Sequence, residues 1–246
     1  MNANGSTRQA TPPEALNQNG LEPLIRMRDV VKAYKTAAGD FIALKGINLD
    51  VYPGEFLGII GKSGSGKTTL INMLTGVDHL TRGEVWVENV PVHKLDENRL
   101  ADWRGRNVGL IYQSFYLMPT LNLLQNVVLP MDVCGGYRPG ASQQRGLELL
   151  RMVELEDHVR KLPSAISGGQ QQRVAIARAL ANDPKFIVAD EPTGRLDSVT
   201  AEIIYQIFSH LVDQGKTIVM VTHDQGLARR MSRTLRLVDG QIEDRS

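Results

Sequence analysis

The sequence predicts an α/β protein: a mostly parallel sheet covered by helices, with an antiparallel β subdomain and a helical insertion. Three observations carry this expectation. Short, apolar runs recur at Phe56–Ile60, Val108–Tyr112, Phe186–Ala189 and Thr217–Val221, the pattern of strands buried on both faces. Helix-like segments lie between them, and strands alternating with helices imply a parallel sheet. From Ser114 to about Gln170 the alternation lapses into helical patterning alone, as in Leu147, Leu150 and Val153 at three-residue spacing.

Taken in order, residues 1–22 are polar and rich in Asn, Gln, Thr and Pro. They bury too little apolar surface to offset their ordering entropy, which predicts a disordered tail. Ordered structure is expected from Pro23. Leu24–Val31 and Ile42–Val51 mix β-branched and polar residues in near alternation around the turn-like segment Thr36–Asp40, which predicts two antiparallel strands. Helices are expected at Lys67–Thr75, Asn98–Arg104, Ser142–Val153, Gln170–Ala181 and Thr200–Asp213. The α/β core then spans about 23–113 and 171–246, and the helical subdomain about 114–170.

Composition narrows the function. With 246 residues, 42% of them hydrophobic, the chain can bury one large core or two small ones. Charge is balanced, 28 Lys+Arg against 27 Asp+Glu, so a basic surface that grips nucleic acid is not expected. The single cysteine, Cys134, excludes an intrachain disulfide scaffold. No apolar run reaches the roughly 18 residues a transmembrane helix needs, and the N-terminus has no signal-peptide h-region. A soluble protein of a reducing compartment is expected.

Gly61-Lys62-Ser63-Gly64-Ser65-Gly66-Lys67-Thr68 fits G-x-x-x-x-G-K-[ST], directly after one apolar strand and directly before a helical pattern. Glycines let backbone N–H groups fold around a phosphate, and the helix opening at Lys67 adds its positive end. Lys67 can reach the β and γ oxygens, and the Thr68 hydroxyl can coordinate Mg²⁺. The chain is therefore expected to bind a nucleoside triphosphate with magnesium, through Gly61, Ser63, Gly64, Ser65, Gly66, Lys67, Thr68 and Thr69.

Phe186–Ala189 runs into Asp190 and Glu191. Strands of open α/β sheets place functional groups at their carboxyl ends, so Asp190 is positioned to hold magnesium and Glu191 to act as base toward water. A second acid argues for hydrolysis rather than binding alone. Ser167-Gly168-Gly169-Gln170 precedes a helical pattern; on spacing alone it is an ordinary N-cap, with Ser167 as cap.

These motifs, with Gln113, Gly194–Asp197 and His223, occur in an order that resembles the ABC-type ATPase subunit, over residues 24 to about 240. The resemblance implies a P-loop NTPase (RecA-like) core that binds ATP and Mg²⁺. It implies that Tyr34 stacks on adenine, that Gln113 joins Mg²⁺ and the attacking water, and that His223 contacts the γ-phosphate and orients Glu191. Ser167, Gly168, Gly169 and Gln170 would meet the γ-phosphate of a second copy, with Asp197 in the loop crossing the interface. The implied unit is a homodimer joined through its nucleotide sites. It would sit peripherally on the cytoplasmic face of the inner membrane, against an integral-membrane permease subunit and without nucleic acid. Two departures stand out: Ile166, where leucine is usual, and Arg195, where small or amide side chains are common. Within the family, Gly76–Glu84, Tyr112–Leu121, Asn126-Val127 and Leu129-Pro130 resemble the lipoprotein-release and macrolide-efflux branch. An ABC-type ATPase acting on DNA or ribosomes, and a non-hydrolysing ATP clamp, are the alternatives.

Overall fold

The structure is a computed structural model that describes residues 21–37 and 39–243. The expected tail, residues 1–22, lies outside the described residues apart from Leu21 and Glu22.

The chain opens with β1 (Ile25–Thr36) and β2 (Gly39–Val51), then β3 (Phe56–Ile60), α1 (Lys67–Thr75), β4 (Arg82–Val87) and β5 (Val90–Pro91). Next come α2 (Glu97–Asn107), β6 (Val108–Ile111), α3 (Leu123–Val133), α4 (Ala141–Met152) and α5 (Gly168–Ala179). The chain continues through β7 (Phe186–Asp190), α6 (Ser198–Asp213), β8 (Thr217–Val221), α7 (Gln225–Ala228), β9 (Arg233–Val238) and β10 (Gln241–Glu243).

Two sheets result. The first is antiparallel, in the order β2-β1-β4-β5. The second, β10-β9-β3-β8-β7-β6, is parallel except at its β10 edge. β3, β6, β7 and β8 are largely apolar because both faces are covered, whereas β9 and β10 mix polar and apolar residues. Side-chain alternation sorts the covered strands between two cores. Phe186, Val188, Val219 and Val221 face the core shared with α1 and the antiparallel sheet. Ile187, Ala189, Ile218 and Met220 face the core shared with α3 to α6.

Several boundaries move from expectation. β1 runs on to Thr36 rather than stopping at Val31, since its ladder with β2 continues past irregularities near Asp29 and Val30. β6 and β8 end at Ile111 and Val221, leaving Gln113 and His223 in the loops beyond. Between Ser114 and Gln170 lie α3, α4 and short single turns, with no strand. α3 opens with a capping box, Asn122 and Gln125 bonding each other's backbone, and carries Pro130 inside it. Parallel order sends the carboxyl ends of β3, β6, β7 and β8 to one edge, and the functional loops leave from that edge.

Candidate active site

At the end of β3 the chain enters the glycine-rich loop and turns into α1. The N-cap of α1 is Gly66, at φ +103°, and no side chain caps the first turn. A Cβ there would lie 2.8 Å from the Ala43 carbonyl oxygen, so both the backbone angle and the space require glycine. The helix thus presents unsatisfied N–H groups to whatever occupies the loop. The Lys67 ammonium donates to the carbonyls of Gly61 and Lys62, each at 2.9 Å, and so closes the loop upon itself. The Ser65 hydroxyl is buried with no hydrogen-bond partner among the described residues, an orphan that a phosphate oxygen would satisfy.

Across the cavity stand Asp190, the last residue of β7, and Glu191 just beyond it. Thr68 Oγ1 donates to Asp190 Oδ2 at 3.3 Å. Burial pushes the Asp190 carboxyl above its usual value, and Glu191 adds to this, while the Thr68 bond and Lys67 oppose it. Glu191 sits at φ +46°, a left-handed angle for a non-glycine residue. That backbone is held by its N–H on the Val221 carbonyl (2.9 Å) and by the Gly194 N–H on its own carbonyl (3.1 Å). Its Oε2 lies 2.8 Å from Nδ1 of His223. A Cβ on Gly194 would lie 2.8 Å from Gln113 Nε2 and 3.2 Å from Glu191 Oε2, so this glycine lets both side chains close in.

One cavity of about 650 Å³ gathers Gly61, Ser63, Gly64, Gly66, Lys67, Thr68, Thr69, Gln113, Asp190, Glu191 and His223. Its metal-binding capacity follows from its donors. Thr68, Asp190, Gln113 and Glu191 offer oxygen, which suits magnesium. Among the described residues no three His, Cys, Asp or Glu groups cluster to hold a metal unaided; a magnesium ion here would complete its shell with phosphate oxygens and water, as that ion commonly does.

Other expected residues lie elsewhere. Tyr34 does not line the cavity; its hydroxyl donates to Asp78 Oδ2 at 3.1 Å, with the Lys32 ammonium 4.7 Å from its ring centre. Its cross-strand partner Phe41 lines the cavity instead and is 57% exposed, a flat apolar surface open to a base. Sequence reasoning passed over Phe41, whose position emerges only from the β1–β2 register. Ser167 caps α5, accepting from the Gln170 N–H, and the Gln170 side chain accepts from the Ser167 N–H. Asp197 caps α6, accepting from the Thr200 N–H at 3.0 Å and its hydroxyl at 2.6 Å. These two helix starts abut, since a Cβ on Gly169 would come 2.3 Å from Thr200 Cγ2. None of Ser167, Gly168, Gly169, Gln170 or Asp197 lines the cavity.

Comparison with known proteins gives a consistent picture. Residues 44–194 match the ABC transporter family. The ATP-binding cassette MJ0796 of Methanocaldococcus jannaschii is 45% identical over 89% of this chain and 95% of its own length. Its dimeric structure in a post-hydrolysis state, bound to ADP and Pi, superposes with a TM-score of 0.83 at 44% identity, covering 89% of this chain and 97% of that one. The lipoprotein-releasing system ATP-binding protein LolD 2 of Caulobacter vibrioides is 42% identical over 90% of this chain and 97% of its own. The macrolide export ATP-binding/permease protein MacB of Syntrophobacter fumaroxidans is 43% identical over 91% of this chain but only 32% of its own.

Two outcomes are expected. Lys67→Ala weakens triphosphate binding about tenfold to a hundredfold, the range of one charged hydrogen bond, in isothermal titration; undiminished binding would remove Lys67 from the site. Asp190 has its folded-state carboxyl raised above the unfolded value, so the ionised form is penalised in the fold, and that penalty is fully present at pH 7. Asp190→Asn therefore raises the melting midpoint of ligand-free protein at pH 7, with the gain fading as pH falls through the carboxylate range. The same variant loses the extra stabilisation that magnesium adds to nucleotide.

Proposed function

The chain belongs to the ABC transporter family, and from that premise we propose that it is the ATP-binding and hydrolysing subunit of a transporter, dimerising on ATP to drive a membrane permease. The observation that carries this reading is the division of the expected residues into two sets. The glycine-rich loop, Gln113, Asp190, Glu191 and His223 share one cavity, while Ser167–Gly169 and Asp197 share a separate face. A triphosphate bound in the cavity would therefore be completed by a second copy that brings that other face.

The roles follow from the geometry. The α1 N-terminus, Lys67 and the Ser65 hydroxyl bind the phosphates. Thr68, Asp190 and Gln113 would hold magnesium, which when bound neutralises phosphate charge. Glu191 takes the proton of the attacking water, and His223, 2.8 Å from it, fixes the direction in which its carboxylate points. Phe41 offers the ring that lines the cavity for the base, and Tyr34, its cross-strand partner, stands outside the cavity.

Closure by ATP would move the α3–α5 region. Arg178 ties α5 to the segment after Gln113, donating to the carbonyls of Tyr116 (2.6 Å) and Phe115 (2.8 Å). Beside this tie, a groove of about 510 Å³ runs between α2, α3 and α5, lined in part by Val108, Leu110, Pro130 and Val133. Val133 is 78% exposed, an apolar surface suited to a short helix of the permease. Among the described residues no helix is long and apolar enough to cross a membrane; a peripheral place on the cytoplasmic face of the inner membrane follows from the permease partner that the proposed role requires. The named relatives in lipoprotein release and macrolide export support an envelope system of that type.

Glu191→Gln is expected to keep ATP affinity, abolish phosphate release and accumulate a dimer visible by light scattering; parental turnover in that variant would overturn the base assignment. Val133→Asp is expected to leave ATP-driven dimerisation intact but to abolish co-purification with the membrane permease. Retained co-purification would move the docking site elsewhere.

A further inference from the structure

Arg195 lies in the loop between β7 and α6, one residue from the glycine on which Gln113 and Glu191 pack. It is exposed, and among the described residues it makes no hydrogen bond or ion pair. Its backbone, by contrast, is pinned on both sides. Gly194 donates to the Glu191 carbonyl (3.1 Å), Leu196 donates to the Thr193 carbonyl (3.0 Å) and packs on the core, and Asp197 caps α6. A permanently charged, planar donor is thus carried on a pinned backbone with no anion paired to it among the described residues. Asp197, the nearest acid in sequence, is committed to Thr200.

Arg195 does not line its own phosphate cavity. It lies instead two residues before Asp197, the cap of α6, whose start abuts that of α5. In the proposed dimer that face meets the other copy's triphosphate. Resting on that reading, we propose that Arg195 binds the terminal phosphate oxygens of the triphosphate held by the partner protomer, so that closure favours triphosphate over diphosphate. A guanidinium suits this task because its parallel N–H groups match two phosphoryl oxygens at once. Supply of an arginine across an interface is a known device in phosphoryl transfer.

The test uses the Glu191→Gln chain, whose ATP-dependent dimer is followed by light scattering. Arg195→Ala in that background is expected to raise the ATP concentration for half-maximal dimerisation about tenfold to a hundredfold, with Arg195→Lys in between. ADP affinity of the monomer and the melting midpoint stay unchanged, because an exposed, unpaired side chain supports neither. Mixed dimers then locate the contact. An immobilised Lys67→Ala, Glu191→Gln protomer has an impaired pocket and captures a loaded Glu191→Gln protomer. Arg195→Ala weakens capture when placed on the immobilised protomer and not when placed on the loaded one. Loss only in the second arm would assign Arg195 to its own pocket and overturn the proposal, as would no loss in either arm. A Glu191→Gln parent that does not dimerise on ATP would sink the dimer reading itself, and this inference with it.

Discussion

The helix α1 begins without a cap, and most of the site can be understood from that omission. Gly66 offers no side chain to the first turn, so the amides there, the partial positive charge of the helix and the Lys67 ammonium all face the cavity unpaired with an anion. Opposite them β7 delivers two adjacent carboxylates, one of which burial already pushes toward its neutral form. The two sides are complementary in sign, yet the distance is bridged directly only through the Thr68–Asp190 bond. A polyanion carrying a divalent cation would satisfy both sides at once, with phosphate toward the loop and metal toward the acids.

Strain marks the other side of the same cavity. Glu191 in the left-handed region carries a penalty of about 1–3 kcal/mol, met by hydrogen bonds at its own N–H and carbonyl. An ordinary extended continuation of β7 would send its side chain out of line with His223. The strained angle therefore aims the carboxylate of the proposed base at His223, and Gly194 beside it keeps room for Gln113 and for the Glu191 carboxylate.

The parallel core was legible because strands covered on both faces read as unbroken apolar runs, and each of the four seen in the sequence appears in the six-stranded sheet. The antiparallel part was harder. β4, with the fully buried Trp86, was missed, since its partner β1 lies some sixty residues earlier and its start, Arg82-Gly83, reads as a turn. α3 hid behind Pro130 and a run of Leu and Val without clear three-residue spacing. Within the site, the loop and the acids could be placed because each follows a recognisable strand, while His223 entered only through the family resemblance. The place of Phe41 depended on cross-strand register, which no local pattern encodes.

Ser167 shows how a local reading and a functional one can both hold. Its hydroxyl is committed to the Gln170 N–H within the capping box, the bland role that spacing alone predicts. Capping satisfies one amide of α5 and leaves the direction of the helix start unchanged, with Gly168 and Gly169 exposing backbone beside it. Such a start attracts an anion, but the chain's own phosphate cavity lies elsewhere. In the proposed dimer, an anion-seeking helix start and a cavity filled from one side would be the two halves of a single site. Within one copy the two lie on separate surfaces, so in the proposed dimer they would meet only as two copies pair head to tail.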